Sequence, residues 1–261
     1  MPRRPPRFFV DSPLAPGEVV TLSAEQARQI GAVLRLRPGG QLILFNGDGQ
    51  NYPARLSALD RLQAAAAIEG AEPAPAYPPP AITLALAPIK AERFDWAVQK
   101  ATELGVAAVV PLATERTVVS FQTGRVGHRV ERWRRIAVEA AEQCGRATLP
   151  CIEEPQPFES AVRLAAKGPA ILLWEDERRT PLAALPFTAL PSLWLLVGPE
   201  GGFSAAEVAL ARAAGLTLAT LGPLILRAET AAIAAVATVR ALTVTKTMID
   251  TGTDTEGSCA S

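Results

Sequence analysis

Two glycine-rich segments in the last third of the chain carry residue types that can hold a small molecule. The first, 198–203, reads Gly-Pro-Glu-Gly-Gly-Phe and follows the apolar run Leu193–Val197; the second, 222–230, follows the run Leu216–Leu221. Apolar runs that end in glycine are typical of strands in a parallel sheet, where ligands bind at the carboxyl ends. Glycine also lets the backbone approach a ligand closely. We therefore predict that these two segments, on neighbouring strands, hold one small molecule between them.

The residue types in the two segments exclude some kinds of site. Neither segment has the Gly-x-Gly-x-x-Gly spacing of a dinucleotide fold, and no P-loop Lys-Ser/Thr follows. The first segment by itself also suits a tight turn before a helix. In the second, the run Leu224–Leu226 is apolar where a loop is usually polar. It packs either on a flat ring such as adenine or in the core, beside the charges of Arg227 and Glu229.

Charged and polar residues at helical spacing form a second kind of candidate. They recur on two predicted helices and around the strand between them, and they suit either a solvated face or a binding surface. These residues are Lys90, Arg93, Gln99, Lys100, Glu103, Glu115, Arg116, Arg132, Arg135, Glu139, Gln143 and Arg146.

Strands and helices alternate after residue 80, which predicts an α/β domain with a parallel sheet that positions these residues. The predicted strands are Ile82–Ala87, Val106–Pro111, Ile171–Trp174, Leu193–Val197 and Leu216–Leu221. The predicted helices are Glu92–Leu104, Val130–Cys144, one that begins at Ser204 with Glu207 in a capping box, and Ala231–Leu242.

Short strands around one helix predict a small β-barrel before that domain. The strands are Val19–Leu22, Gln41–Phe45, Tyr52–Leu59 and Leu62–Ile68, and the helix is Ser23–Leu34, with Ser23 and Gln26 as its capping box. The chain opens with Arg3, Arg4, Arg7, Phe8 and Phe9. Cations mixed with aromatic rings suit phosphate contact and base stacking; alternatively, this is a frayed tail whose phenylalanines fill the barrel.

Composition sets the domain organisation and the class of protein. The chain has 261 residues, 49% of them hydrophobic, and 26 basic against 26 acidic side chains. We predict a first domain at 1–72, a proline-rich linker at 73–80, a second domain at 81–245 and a disordered tail at 246–261. Three cysteines without metal-ligand spacing and one histidine argue against a metal site and for a reduced compartment. Without a signal-like or membrane-length apolar run, we expect a cytoplasmic protein.

Several motifs in the same order resemble the 16S ribosomal RNA uracil-N3 methyltransferase family, over roughly residues 3–242. The motifs are Arg7-Phe8-Phe9, Val33-Leu34-Arg35-Leu36, residues 90–106 with 111–116, residues 131–143, Gly198-Pro199-Glu200-Gly201-Gly202-Phe203-Ser204 and residues 221–231. The chain departs from the family at Leu224, where arginine is usual, and at Gln29, where histidine is frequent.

The resemblance implies a PUA-like β-barrel followed by a SPOUT domain with a trefoil knot. It also implies S-adenosylmethionine as cofactor and a homodimer with the cofactor pocket near its interface. The cofactor residues it implies are Leu196, Gly198, Glu200, Gly201, Leu221, Gly222, Ile225, Leu226 and Arg227, with Glu229 and Thr230 adjoining.

The resemblance further implies 16S ribosomal RNA of the small subunit as the partner and N3 of a uridine as the target. That nitrogen carries a proton, so a base or nearby cations are required. Glu229 is the candidate base, and Arg227, Arg93 and Arg116 are candidates to stabilise negative charge. The RNA-binding candidates are Arg3, Arg4, Arg7, Phe8, Phe9, Lys90, Arg93, Arg132, Arg135 and Arg146. The alternatives are a ribose 2′-O-methyltransferase, an RNA-binding assembly factor with an inactive pocket, and a nucleotide-dependent enzyme on an ordinary Rossmann sheet.

Overall fold

A computed structural model of the protein describes residues 4–117 and 126–252, which divide into two compact units. The first unit takes in the residues up to 76 together with 138–149, and the second takes in 77–137 and the residues from 150 onward. The segment 138–149, which we predicted to be part of the second domain, therefore belongs with the first unit.

The first unit is a six-stranded sheet that forms a half-barrel around one short helical segment. Its strands are β1 (Arg7–Phe9), β2 (Val19–Leu22), β3 (Gln41–Phe45), β4 (Gln50–Leu59), β5 (Ala64–Ile68) and β6 (Glu72–Pro73). Their order is β1-β3-β4-β5-β2, with β6 on β4; β1 pairs with β3 in parallel and the other pairs are antiparallel. Helix α1 (Ala24–Arg28) has the predicted capping box, and the predicted helix then continues as a π-helical turn at Gln29–Val33.

Strand β1 contains residues that we predicted to be either an RNA-contacting segment or a frayed tail whose phenylalanines fill the barrel. Phe8 pairs with Leu44 of β3, and its side chain is completely buried in the core of the first unit. It is therefore unavailable for base stacking, and its predicted RNA contact is wrong. Phe9, the next residue, is only half-buried, because successive side chains of a strand point to opposite faces of its sheet.

The second unit is built on a seven-stranded parallel sheet. Its strands are β7 (Ala81–Leu86), β8 (Ala108–Ala113), β9 (Cys151–Ile152), β10 (Gln156–Pro157), β11 (Ala170–Leu173), β12 (Ser192–Val197) and β13 (Thr217–Ala219). The remaining helices of the chain are α2 (Ala91–Glu103), α3 (Val126–Cys144), α4 (Phe158–Ala165), α5 (Ala205–Ala213) and α6 (Ala228–Gly252). The strand order is β10-β8-β7-β12-β11-β13, with β9 also on β8. This confirms the α/β fold with a parallel sheet; the trefoil knot stays a prediction.

Alternate strand residues enter two apolar cores, because successive side chains of a strand point to opposite faces of its sheet. Leu195 and Val197 belong to one core, whereas Leu196 between them belongs to the other. Burying apolar surface on both faces supplies the stabilisation of a parallel sheet, at about 25 cal/mol per Å².

Two predictions about the second unit are wrong. β12 and β13 are not neighbours, because β11 lies between them and pairs with both. The last helix continues to Gly252, so residues 246–252, which we assigned to a disordered tail, are helical. The rest of that predicted tail, 253–261, lies outside the described residues. Among the described helices, none has the length and apolar character needed to cross a bilayer.

Arg240 of α6 fixes the beginning of the second unit. Its side chain is buried, and its guanidinium lies 4.9 Å from the centre of the Tyr77 ring. It donates hydrogen bonds of 2.7–3.1 Å to four backbone carbonyls, those of Pro78, Pro80, Leu104 and Gly105. Because a buried guanidinium is costly to leave unpaired, these bonds hold the residues before β7 against the end of α2.

Candidate functional site

The carboxyl ends of β11, β12 and β13 and the start of α6 line an open cleft. Its walls are formed by residues 173–175, 197–200, 202, 219–222 and 224–226, with Ala228 and Ala231. The two glycine-rich segments do therefore meet at one cavity, although a third strand end lies between theirs. The position agrees with the general location of ligand sites in open α/β sheets.

Six of the predicted cofactor residues line this cleft, and four do not. Those that line it are Gly198, Glu200, Leu221, Gly222, Ile225 and Leu226. Leu196 is completely buried and packs in the core, so its side chain is not part of the wall. Gly201, Arg227 and Thr230 are exposed but lie outside the set of described lining residues.

Trp174 and Glu175, at the end of β11, line the cleft and were missed as site residues. The sequence contained a usable signal, since Ile171–Trp174 was a predicted strand followed at once by the polar run 175–179. The two glycine-rich segments were found in the same way, from an apolar run followed by a polar segment, but the segment after Trp174 contains no glycine.

The loop after β12 is packed closely against its surroundings. Gly202 has a φ of +69°, and a β-carbon there would lie only 2.1 Å from Glu175 Oε1. A β-carbon on Gly198 would lie 3.2 Å from the Phe203 ring, which is itself buried against Phe158. Glycine is therefore favoured at 202 by its backbone conformation, whereas the Glu175 carboxylate is the end of a flexible side chain that can move aside.

Residues after β8 hold the same loop from another side. Arg116 Nη1 donates a 2.7 Å hydrogen bond to the carbonyl of Gly201. Glu207 accepts from the backbone N–H groups of Glu115 and Ser204, at 2.8 Å each, and completes the predicted capping box of α5. Arg116, a predicted charge stabiliser, thus serves as a support for the loop.

Arg93 contacts two carboxylates at the site. Its Nη1 lies 3.5 Å from Glu200 Oε1, and its Nε lies 3.7 Å from Glu229 Oε1. Glu229 is only 7% exposed, and its Oε2 has no hydrogen-bond partner among the described residues. Its place in the first turn of α6 suits a negative charge, because the N-terminal end of a helix is positive. The predicted catalytic residues Arg93 and Glu229 are thus in contact.

The segment after β13 is open by comparison. Leu224 and Ile225 are 77% and 86% exposed, and Leu226 is 36% exposed. In this turn, Thr220 Oγ1 donates a hydrogen bond to the carbonyl of Gly222 and accepts one from the backbone N–H of the same residue. Arg227 is exposed beyond it. Exposed apolar side chains next to each other at a cleft are typical of a surface that binds a ligand or another protein.

The predicted RNA-binding residues of the first unit serve different purposes. Arg3 lies outside the described residues, and Arg4 is exposed. Arg7 donates to the carbonyl of Arg146 at 3.2 Å and stacks on the Phe45 ring at 5.1 Å, so it supports the fold. Burial lowers the pKa of the Arg7 guanidinium. Arg146 is half-buried, and its Nε donates to Thr148.

The predicted RNA-binding residues of the second unit lie mostly on its surface. Lys90, Arg132 and Arg135 are exposed, while Arg132 also pairs with Asp95. Arg93 is held by its two carboxylates. The three exposed cations remain accessible to a polyanion.

Comparison with known proteins places this architecture among RNA-modifying enzymes. The sequence profile of the RNA methyltransferase domain matches residues 77–240, and that of the RNA methyltransferase PUA domain matches residues 22–69. The chain is 31% identical to ribosomal RNA small subunit methyltransferase E of Mycobacterium tuberculosis, over 90% of this chain and 91% of that protein. It is 36% identical to the protein of that name from Synechocystis, over 85% and 73% of the two chains.

A solved structure has the same fold throughout. It is a ribosomal RNA small subunit methyltransferase E from Neisseria gonorrhoeae bound to S-adenosyl methionine, with a TM-score of 0.84 and 33% identity, covering 92% of this chain and 98% of that one. A methyltransferase from Legionella pneumophila in complex with the same cofactor gives a TM-score of 0.81 at 35% identity, with the same coverage.

Proposed function

Because this chain belongs to the ribosomal RNA small subunit methyltransferase E family, we propose that it transfers a methyl group from S-adenosylmethionine to N3 of a uridine in 16S ribosomal RNA. Methylation of ribosomal RNA follows from family membership. The choice of a uracil nitrogen is the finer part of the proposal. The observation that carries it is a buried carboxylate, Glu229, with one unpartnered oxygen, next in sequence to a residue that lines the cleft.

The residues of the cleft fit S-adenosylmethionine. Leu221, Ile225 and Leu226 offer an apolar surface for a flat ring. Gly222 has a φ of +129° and no atom within 4 Å of the position a β-carbon would take, so its backbone is open to a ligand. Glu200 adds a carboxylate for polar groups. A cavity with apolar walls and few polar groups is the usual form of a cofactor site.

The cofactor, when bound, supplies an activated methyl group on a sulfonium. The protein must then remove the proton from N3 of the uracil. We assign this to Glu229, whose Oε2 can accept a hydrogen bond that the described residues do not provide. A positioned general base contributes about 10²–10⁴-fold to such a step. Arg93 holds the other oxygen of this carboxylate in place.

Negative charge grows on the uracil oxygens as the proton leaves, and a cation near them lowers the barrier. We assign this role to Arg227, since it is exposed and lies between Leu226 and Ala228, which both line the cleft. Arg93 and Arg116, the other two candidates, are engaged with Glu229 and Gly201 and act as supports. The family usually has arginine where this chain has Leu224. Arg227 therefore has no second cation beside it in the segment 224–226.

The RNA partner is 16S ribosomal RNA in the small subunit. Lys90, Arg132 and Arg135 are proposed phosphate contacts, because these side chains are exposed on the unit that contains the cleft. Arg4 is the corresponding candidate in the first unit, which we propose to be the RNA-binding domain. Phosphate contacts of this kind make affinity fall steeply with salt.

We also propose that the protein is a homodimer. The exposed apolar side chains of Leu224 and Ile225 support this, because they leave one side of the cleft uncovered. Sedimentation velocity of the native protein and of Ile225→Ser checks the assembly state. A monomer for the native protein at micromolar concentration would contradict the proposal.

The activity is tested with small ribosomal subunits purified from a strain that lacks this protein. Incubation with the protein and labelled S-adenosylmethionine, followed by digestion and mass analysis, should locate one methyl group on N3 of a uridine. A methyl group on a ribose 2′ oxygen, or on another base, would overturn the assignment of the target atom.

A further inference from the structure

The cleft carries negative charge without a matching cation in its wall. Its described lining residues include two carboxylates, Glu175 and Glu200, and no lysine or arginine. Glu200 lies 3.5 Å from Arg93 Nη1, which offsets its charge. Glu175 belongs to none of the ion pairs formed between described residues. The unbalanced charge in this wall is therefore that of Glu175.

The side chain of Glu175 lies against the loop after β12. Its Oε1 occupies the space beside Gly202 where any other residue would have a β-carbon, 2.1 Å from that position. The φ of +69° at Gly202 favours glycine there. The carboxylate thus lies directly against the turn that carries Glu200, at the edge of the cleft.

We infer that Glu175 makes the cleft select a cationic adenosyl ligand over a neutral one. This inference rests on the proposed function, in which the ligand before reaction is S-adenosylmethionine. Methyl transfer breaks the bond between the methyl carbon and sulfur, leaves both electrons on sulfur, and forms a bond from carbon to N3, whose proton goes to the base. The sulfonium becomes the neutral thioether of S-adenosylhomocysteine. The attraction to Glu175 is thus lost on reaction, which favours exchange of product for fresh cofactor.

Solvent limits the size of this effect. Glu175 is exposed to water, and water and salt weaken the attraction between exposed charges. We therefore expect a preference of about five- to tenfold at low salt. The preference should shrink as the salt concentration rises, whereas the affinity for the neutral thioether should change little.

Isothermal titration calorimetry with three ligands tests the inference. The ligands are S-adenosylmethionine, S-adenosylhomocysteine and sinefungin, which carries an amine in place of the methylated sulfonium. The proteins are the native chain, Glu175→Gln, and Asp176→Asn as a matched control that removes a charge one residue outside the wall. Glu175→Gln should weaken both cationic ligands about five- to tenfold and the thioether less than twofold. Asp176→Asn should change all three less than twofold.

Two results would overturn the inference while the proposed function still stands. Equal weakening of all three ligands by Glu175→Gln would mean that Glu175 bonds a part common to them, such as a ribose hydroxyl. Unchanged affinity for all three would mean that Glu175 has no role in binding. If the native chain bound none of the ligands, the proposed function would fail together with the inference, so the two failures are distinguishable.

Discussion

The two sides of the cleft differ in how firmly they are held. The loop 198–203 is supported by Arg116, packs against Glu175 and ends in a buried phenylalanine. The segment 221–227, across the cleft, exposes Leu224 and Ile225 almost completely. One side is therefore complete within a single chain, whereas the other has apolar surface that only a ligand or another molecule can cover.

This difference suggests that the two sides of the cleft have separate roles in binding. The supported side can keep a fixed shape before any ligand arrives, which lowers the entropic cost of binding. The open side can adjust to the ligand and to the RNA, at the cost of exposed apolar surface. Arg93 contacts a carboxylate of each side, Glu200 and Glu229, and so ties them to α2. The predictions below test this comparison.

The two sides of the cleft should differ most in how much a substitution lowers the stability of the protein. Phe203→Ala removes a buried ring from the supported side and should lower the free energy of unfolding by about 3–5 kcal/mol. Ile225→Ala on the open side should change it by less than about 0.5 kcal/mol when the cofactor-free protein is diluted until the proposed dimer has dissociated, because Ile225 is then exposed. Urea unfolding followed by tryptophan fluorescence is suitable, because the four tryptophans of the chain, at 96, 133, 174 and 194, belong to the second unit. Similar losses for the two variants would remove the distinction between the sides.

The two carboxylates that Arg93 contacts should differ in catalysis. Glu229→Gln should lower the single-turnover methylation rate about 100-fold or more, because it removes the proposed base. Glu200→Gln is the matched control on the supported side and should cost less than about tenfold, since an amide can still accept hydrogen bonds. A native rate for Glu229→Gln would require a different base.

Gly202→Ala tests the close packing of the supported side. It introduces a positive φ at a non-glycine residue and makes the end of the Glu175 side chain move aside, so we expect a loss of about 1–2 kcal/mol in unfolding free energy. Gly215→Ala is the control: it has a φ of +87° but no atom within 4 Å of the new carbon, and should cost about 1 kcal/mol. Equal losses would show that the space beside Glu175 does not matter.

The smallest effect concerns pH. Hydrogen bonds from the backbone N–H groups of Arg179 and Thr180 hold the pKa of Glu177 below its ordinary value of 4.5. A lowered pKa contributes stability that is present above 4.5 and is lost as the pH falls through the folded-state value. Glu177→Gln should therefore lower Tm slightly at pH 7 and not at pH values below the folded-state pKa. A difference in Tm that is constant from pH 7 to pH 3 would contradict this.

Local signals made much of the site predictable. The capping boxes at Ser23 and Ser204 depend on residues three apart, and both form. The glycines that end the apolar runs before 198 and 222 marked strand ends, and both segments line the cleft. In these cases the sequence neighbourhood itself determines the structure.

Contacts between distant residues were not predictable in the same way. The sequence predicted the strand that ends at Trp174, but the insertion of this strand between β12 and β13 depends on how the whole sheet packs, so its place at the cleft was missed. The burial of Phe8 follows from parallel pairing with a strand more than thirty residues later, which its own neighbours do not indicate. Arg7 was predicted to contact RNA and Arg116 to stabilise negative charge, and only the packing around them shows that both side chains support the fold.

The hydrogen bonds of Arg240 determine where the chain can be cut. Its guanidinium needs the carbonyls of Pro78 and Pro80 as well as the ring of Tyr77. A shortened protein that starts at the first residue of β7 would remove two of the described acceptors of a buried cation and the aromatic ring beside it. A shortened protein that keeps these contacts of Arg240 therefore begins no later than Tyr77, four residues ahead of β7.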